Sequence, residues 1–227
     1  MAVFVSDYLT LRPKSFINME IIDFKLRLLI STKVVDENVL LLTYYEALKL
    51  TGAWSDSNEF MQKLVNSNFF ENLRGLVVLP WCEKGHFFTV VGVCGVEYIV
   101  FTMESVGGYE EPTVVPKLQD FLASLRFAKG LPELEIGSFG VDMPKQLEGS
   151  NDCGIFMLEM IERIATHPTE FLTRFKEGIM AEWFDTRDVQ SRRREIAETL
   201  QVMGEEQRQV GQLHDDMPPL VLPNFWI

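Results

Sequence analysis

The 227 residues hold only three cysteines and three histidines, with no apolar run long enough to span a bilayer. Each scarcity excludes something. Cys82, Cys94 and Cys153 are an odd number without framework spacing, which points away from a secreted disulfide scaffold and towards a reducing compartment, cytoplasmic or nuclear. His86, His167 and His214 are scattered and form no Cys/His cluster, so neither a metal nor another cofactor is expected. The most apolar stretch, residues 87–101, is broken by Thr89, Gly92, Gly95 and Glu97, so no membrane span is expected. The opening MAVFVSDYLTLRPK has no basic segment ahead of an apolar one and does not read as a signal peptide. Cations are short as well: 21 Lys plus Arg against 33 Asp plus Glu leaves a net charge of −12. Nothing in that balance would drive counterion release from a phosphate backbone, so nucleic acid is not the expected partner. The charge suits a neutral or basic protein partner.

What is present is globular: 47% apolar and 24% charged residues. A chain of this length buries roughly 70% of its unfolded surface, enough for a core without staples. The expected organisation is a single domain over residues 1–204 and a C-terminal tail over 205–227, the latter ending in the Pro-rich MPPLVLPNFWI. Helical periodicity runs through residues 17–30, with Ile17, Ile21, Phe24 and Leu28 on one face. A second helix is predicted from Asp36 to Gly52 and a third over 57–64. The period then shortens. GLVVLP (75–80), HFFTVVGV (86–93) and VEYIVFTM (96–103) read as strands, the last two turning about Gly95. Further on come a helix over 116–129, a strand over 134–141, an apolar helix over 154–164 and amphipathic helices over 168–183 and 189–203. The fold class is α+β, a mixed central sheet flanked by helices.

The chemistry centres on GSNDCGIFMLEMIERI, where a polar loop ends at Asp152 and an apolar helix begins. Cys153 then sits at a helix N-terminus, whose orphan N–H groups favour an anion and can lower a thiol pKa from about 8.5 towards roughly 3.5–7.5. Taken alone, it reads equally as a buried structural cysteine. His86 opens a strand after WCEKG. A hairpin symmetric about Gly95 sets His86 opposite Glu104, or opposite Ser105 if the loop has two residues. A carboxylate there would fix the imidazole tautomer and stabilise the imidazolium; the same pair also reads as a plain cross-strand ion pair. Cysteine, histidine and acid together match the logic of cysteine-nucleophile hydrolases. Gln146, seven residues before Cys153, could donate its amide N–H to an oxyanion, or be an ordinary loop residue. The triple Arg192-Arg193-Arg194 reads as a solvated helix face.

In this order the segments resemble the SUMO/sentrin-specific (Ulp/SENP-type) cysteine proteases from about residue 15 to 200. LPWCEKGHF is similar to the family's His-Trp motif, ESVGG to its acid motif, MPKQLEGSNDCG to its Gln…Cys motif, FINMEIIDFKLRLL to its early helix and WFDTRDVQSRRREI to its last helix. The resemblance implies a papain-like fold in rearranged chain order, with the nucleophile at the N-terminus of a central helix. It implies catalysis by Cys153, His86, Glu104 and Gln146. It places Phe16, Asn18, Trp81 and Phe87 at the substrate. The substrate would be SUMO or another ubiquitin-like modifier and its protein conjugates, cleaved after the terminal Gly-Gly by a monomeric enzyme. Three departures stand out: Glu104 where the SUMO proteases carry Asp, Phe16 and Phe87 where they carry Trp, and Met19 where they carry an Asp that meets the modifier tail. Other readings stand beside this one: an adenovirus-type endopeptidase cutting proteins or polyproteins at Gly-containing sites, an inactive modifier-binding module, and an acyl transferase.

Overall fold

The computed structural model describes residues 3–52, 57–65, 75–95, 98–107 and 111–209. At its centre is a five-stranded mixed sheet in the order β1-β2-β3-β4-β5. The strands are β1 (Val39–Leu41), β2 (Gly75–Glu83), β3 (His86–Cys94), β4 (Ile99–Glu104) and β5 (Gly137–Asp142). The middle three are antiparallel neighbours, and the two edge strands run parallel to theirs. The helices are α1 (Val5–Leu9), α2 (Met19–Ser31), α3 (Tyr44–Leu50), α4 (Ser57–Val65), α5 (Val114–Ala128), α6 (Cys153–Thr166), α7 (Pro168–Glu177) and α8 (Thr186–Gln209).

Both faces of the sheet are covered, which is why β2 and β3 are near-continuous apolar runs rather than alternating ones. One core packs Val78, Val91, Phe101 and Met103 against Ile21, Leu26, Ile155 and Ile161 of α2 and α6, with α7 and α8 behind. The other packs Val77, Leu79, Val90 and Val100 against α3 and α5 through Ala47, Leu118, Phe121 and Leu122. Helix α6 lies against the middle of the sheet and is buried along most of its length, from Cys153 to Ala165.

Several elements differ from the sequence expectation. The helix expected over residues 36–52 is interrupted. Asp36 accepts from Asn38 N in a turn instead of capping a helix, Val39–Leu41 joins the sheet beside β2, and α3 starts at Thr43 in a capping box with Glu46. The run VLLL satisfies either period, and the open edge of β2 decided it. Helix α7 stops early because Gly178 takes a left-handed conformation at φ 71°. Helix α8 passes through Gly204 and continues to Gln209; the remainder of the expected tail, with Phe225 and Trp226, lies outside the described residues. Among those described, no helix is long and apolar enough to cross a membrane.

Candidate active site

The loop leaving β5 delivers Cys153 to the first position of α6. Asn151 adopts φ 58°, a left-handed conformation that Asn tolerates, and turns the chain into the helix. Asp152 occupies the N-cap but makes no capping hydrogen bond. Its carboxylate goes instead to Arg193 of α8, which donates from Nε at 2.8 Å and pairs through Nη2 at 2.7 Å. The first N–H groups of α6 are thereby left for another anion. The Cys153 thiol meets two of them, its own and that of Gly154, together with the Phe87 N–H of β3. The thiol is nonetheless only 2% exposed. Burial pushes its pKa up and outweighs the three N–H groups that draw it down. The low thiol pKa expected from a helix N-terminus is therefore corrected: desolvation wins, and the resting group is a protonated thiol.

Gly154 has a steric reason. A Cβ at this position would come inside 3.0 Å of Ile17 Cγ2 and within 3.3 Å of the Phe87 ring. The segment that enters α2 and the start of β3 thus both close on the first turn of α6, and only glycine leaves room between them.

His86 is the first residue of β3, exposed, and adjacent to the Phe87 whose N–H meets the thiol. It pairs across the β2–β3 hairpin with Glu83. The expected register with β4 is corrected by two residues. Val93 pairs with Ile99 and Thr89 with Met103, so the ladder carried on brings Glu104 level with Phe88 and leaves His86 on the diagonal. Tyr98, just ahead of β4, is buried in the core, its ring under the Arg126 guanidinium at 4.5 Å. Diagonal neighbours lie roughly 7–8 Å apart, a span that suits the extra methylene of Glu over Asp. The Glu104 carboxylate is buried and accepts from Gly107 N at 2.8 Å.

Gln146 is held twice by one residue. Its backbone N–H donates to Ser105 O at 3.0 Å, and its side-chain Oε1 accepts from the buried Ser105 hydroxyl at 3.1 Å. With Oε1 engaged, the amide N–H₂ is the end left to serve as a donor. The sequence offers Ser105 as a possible partner of His86 and as part of ESVGG; its grip on Gln146 comes from the return of β5 alongside β4.

A groove of about 450 Å³ lies between the α2 entry and the β2–β3 hairpin, lined by Phe16, Asn18, Met19, Tyr44, Cys82 and Phe87 among others. Its walls are mostly apolar. Phe16 is exposed over it, whereas Phe87 is buried. Asn18 contributes to the wall, but its side chain is committed elsewhere: Oδ1 caps α2 at Ile21 N and Nδ2 donates to Asp7. Trp81 is corrected. It is buried in the opposite core, where its indole N–H donates to Glu83 and its ring meets Tyr44, so it backs the hairpin instead of lining the groove. Arg193 is corrected too: far from a solvated face, it is 3% exposed. Arg192 pairs with Glu159 and Glu195. No Cys/His/acid cluster able to hold a metal occurs among the described residues.

No protein-family model matches the chain, and no curated protein matches it. Solved structures do. A structure described as the de-sumoylating protease superposes with a TM-score of 0.68 at 20% identity, covering 91% of this chain and 88% of that one. The C-terminal protease domain of Ulp1 in complex with Smt3, the yeast ortholog of SUMO, gives 0.60 at 16% identity, over 86% and 80%. The Xanthomonas campestris effector XopD bound to ubiquitin gives 0.51 at 14%, over 80% and 91%. The chain therefore has the α+β, papain-like fold of these proteases.

Proposed function

We propose that this chain is a cysteine protease that hydrolyses the peptide or isopeptide bond after the C-terminal Gly-Gly of SUMO or another ubiquitin-like modifier. The observation that carries the proposal is the thiol of Cys153, set at the start of a buried central helix with the Phe87 N–H against it, on a fold shared with SUMO proteases. The modifier's extended tail runs along the groove lined by Phe16 and Phe87. Because burial keeps the thiol protonated, the attacking thiolate forms only as His86 takes its proton, with Glu104 steadying the imidazolium. Sulfur adds to the glycine carbonyl, and the oxyanion is met by the Gln146 amide and the backbone N–H of Cys153. His86 returns the proton to the leaving amine, and water then attacks the thioester, releasing the modifier's carboxylate and restoring the thiol.

The test is a panel of intact ubiquitin-like modifiers carrying C-terminal fluorogenic groups, set beside short Gly-containing peptides. At least one intact modifier should turn over, and Cys153→Ser should abolish that turnover. Tail-reactive modifier probes should label wild type and Cys82→Ala but not Cys153→Ala. Labelling that survives Cys153→Ala and vanishes in Cys82→Ala sinks the assignment, and so does a modifier that binds without being cut. Peptides cleaved as well as intact modifiers would turn the reading to a general Gly-site endopeptidase.

A further inference from the structure

Arg193 lies on α8, remote in sequence from every residue assigned to the chemistry, yet its buried guanidinium meets five oxygens. Two belong to the nucleophile loop: Asp152 Oδ1 at 2.8 Å from Nε and Asn151 O at 3.0 Å from Nη2. Three belong to the segment leading to Phe16: Thr10 O at 3.2 Å and Arg12 O at 3.3 Å from Nη1, and Ser15 O at 2.8 Å from Nη2. That segment is irregular, with Lys14 at φ 63°, and its carbonyls find at Arg193 the donors that a regular ladder would have supplied. The five N–H donors of a guanidinium form a rigid fork, so the two chain segments are held at a fixed separation. A second tie runs directly between them: Asn151 Nδ2 donates to Lys14 O at 2.8 Å. One residue past Phe16, Ile17 closes on Gly154. Arg193 and Asn151 thus tie the segment that carries Phe16 to the loop that carries Cys153.

We propose that Arg193 is a positioning residue that sets the width of the slot between Phe16 and Cys153, and so enforces glycine as the residue whose carbonyl is attacked. This rests on the protease reading above. A slot that excludes one methyl group discriminates glycine from alanine by roughly 10–200-fold in kcat/KM. Arg193→Lys keeps the charge beside Asp152 but cannot span both segments. The expected result is a fall of about tenfold in the Gly-over-Ala preference, measured on modifier substrates ending in Gly-Gly and Gly-Ala. A merely structural role would lower the active fraction, reduce both rates together and leave their ratio untouched.

Asn151→Gly guards against a variant that fails to fold. Glycine takes the positive φ freely, and only the Lys14 tie is lost; the ratio should fall in the same direction, by less. Should wild type cut neither substrate, the protease reading fails, while the slot is still read chemically. The rate of Cys153 labelling by a bulky aryl maleimide relative to iodoacetamide should then rise in both variants. Ratios equal to wild type in Arg193→Lys and Asn151→Gly, in whichever assay applies, overturn the proposal.

Discussion

Replacing Gly154 with alanine puts the tightest feature of the site under direct test. The added methyl group would lie inside 3.0 Å of Ile17 Cγ2, with the Phe87 ring closing the other side at 3.3 Å. Ordinary carbon contacts are roughly 3.5–4.0 Å, so one partner must retreat by about 1 Å or more. The methyl that must move belongs to a β-branched side chain with a stiff χ1, in a residue only 2% exposed. Retreat therefore moves the backbone that carries Phe16. Overpacking of this kind costs about 1–3 kcal/mol. The helix gains up to about 1 kcal/mol from replacing glycine by alanine. The net change in stability should be a loss of up to about 3 kcal/mol, visible as a lower urea midpoint at unchanged slope. Activity should suffer more, because displacement of a positioning segment by about 1 Å can cost roughly 10²-fold in kcat/KM. The decisive measurement is a double-mutant cycle with Ile17→Ala, which removes the obstructing methyl. A favourable coupling of about 0.5–3 kcal/mol is expected in stability, with partial recovery of rate. Strict additivity of the two changes, or a Gly154→Ala protein with wild-type kcat/KM, would refute the steric argument.

Two further outcomes follow from other parts of the molecule. Gln146→Ala should lower kcat by roughly 10²–10³, as for loss of one oxyanion donor. Ser105→Ala removes one neutral hydrogen bond of about 1 kcal/mol, or roughly fivefold in kcat, and should add nothing once Gln146 is gone; a Ser105→Ala effect that persists in the double mutant would separate the two residues. Cys94 is buried at the end of β3, and desolvation carries its pKa from 9.0 to about 12. The native state thus holds a proton that the unfolded chain gives up, so its contribution to stability is intact below pH about 9 and is lost as pH rises towards about 12. Denaturation midpoints measured across that window should fall less steeply for Cys94→Ala than for wild type.

Local pattern was a good guide wherever one period dominated. The apolar runs of β2 and β3, the buried α6 and the polar loop that ends at Asp152 were all legible because burial on both faces writes itself directly into composition. The positions of His86, Glu104 and Cys153 were legible because each lies at the end of an element whose limit is marked by a change of period or by glycine, whereas Gln146 lies in the loop between β5 and α6. Where two periods fitted equally, as in VLLL, the sequence had no means to choose, since the free edge of β2 is contributed from thirty-seven residues further on.

The residues themselves settle the α+β class, the place of Cys153 at a helix start and the glycine beside it, because these depend on neighbours a few positions away. Tertiary structure alone decided the rest. It set the β3–β4 register, moved Trp81 to the far core, gave Ser105 its hold on Gln146 and turned Arg193 inward. It also raised the thiol that the helix terminus by itself would have acidified. Those outcomes depend on desolvation and on partners as many as 183 residues apart, as between Thr10 and Arg193, and no local window of sequence contains them.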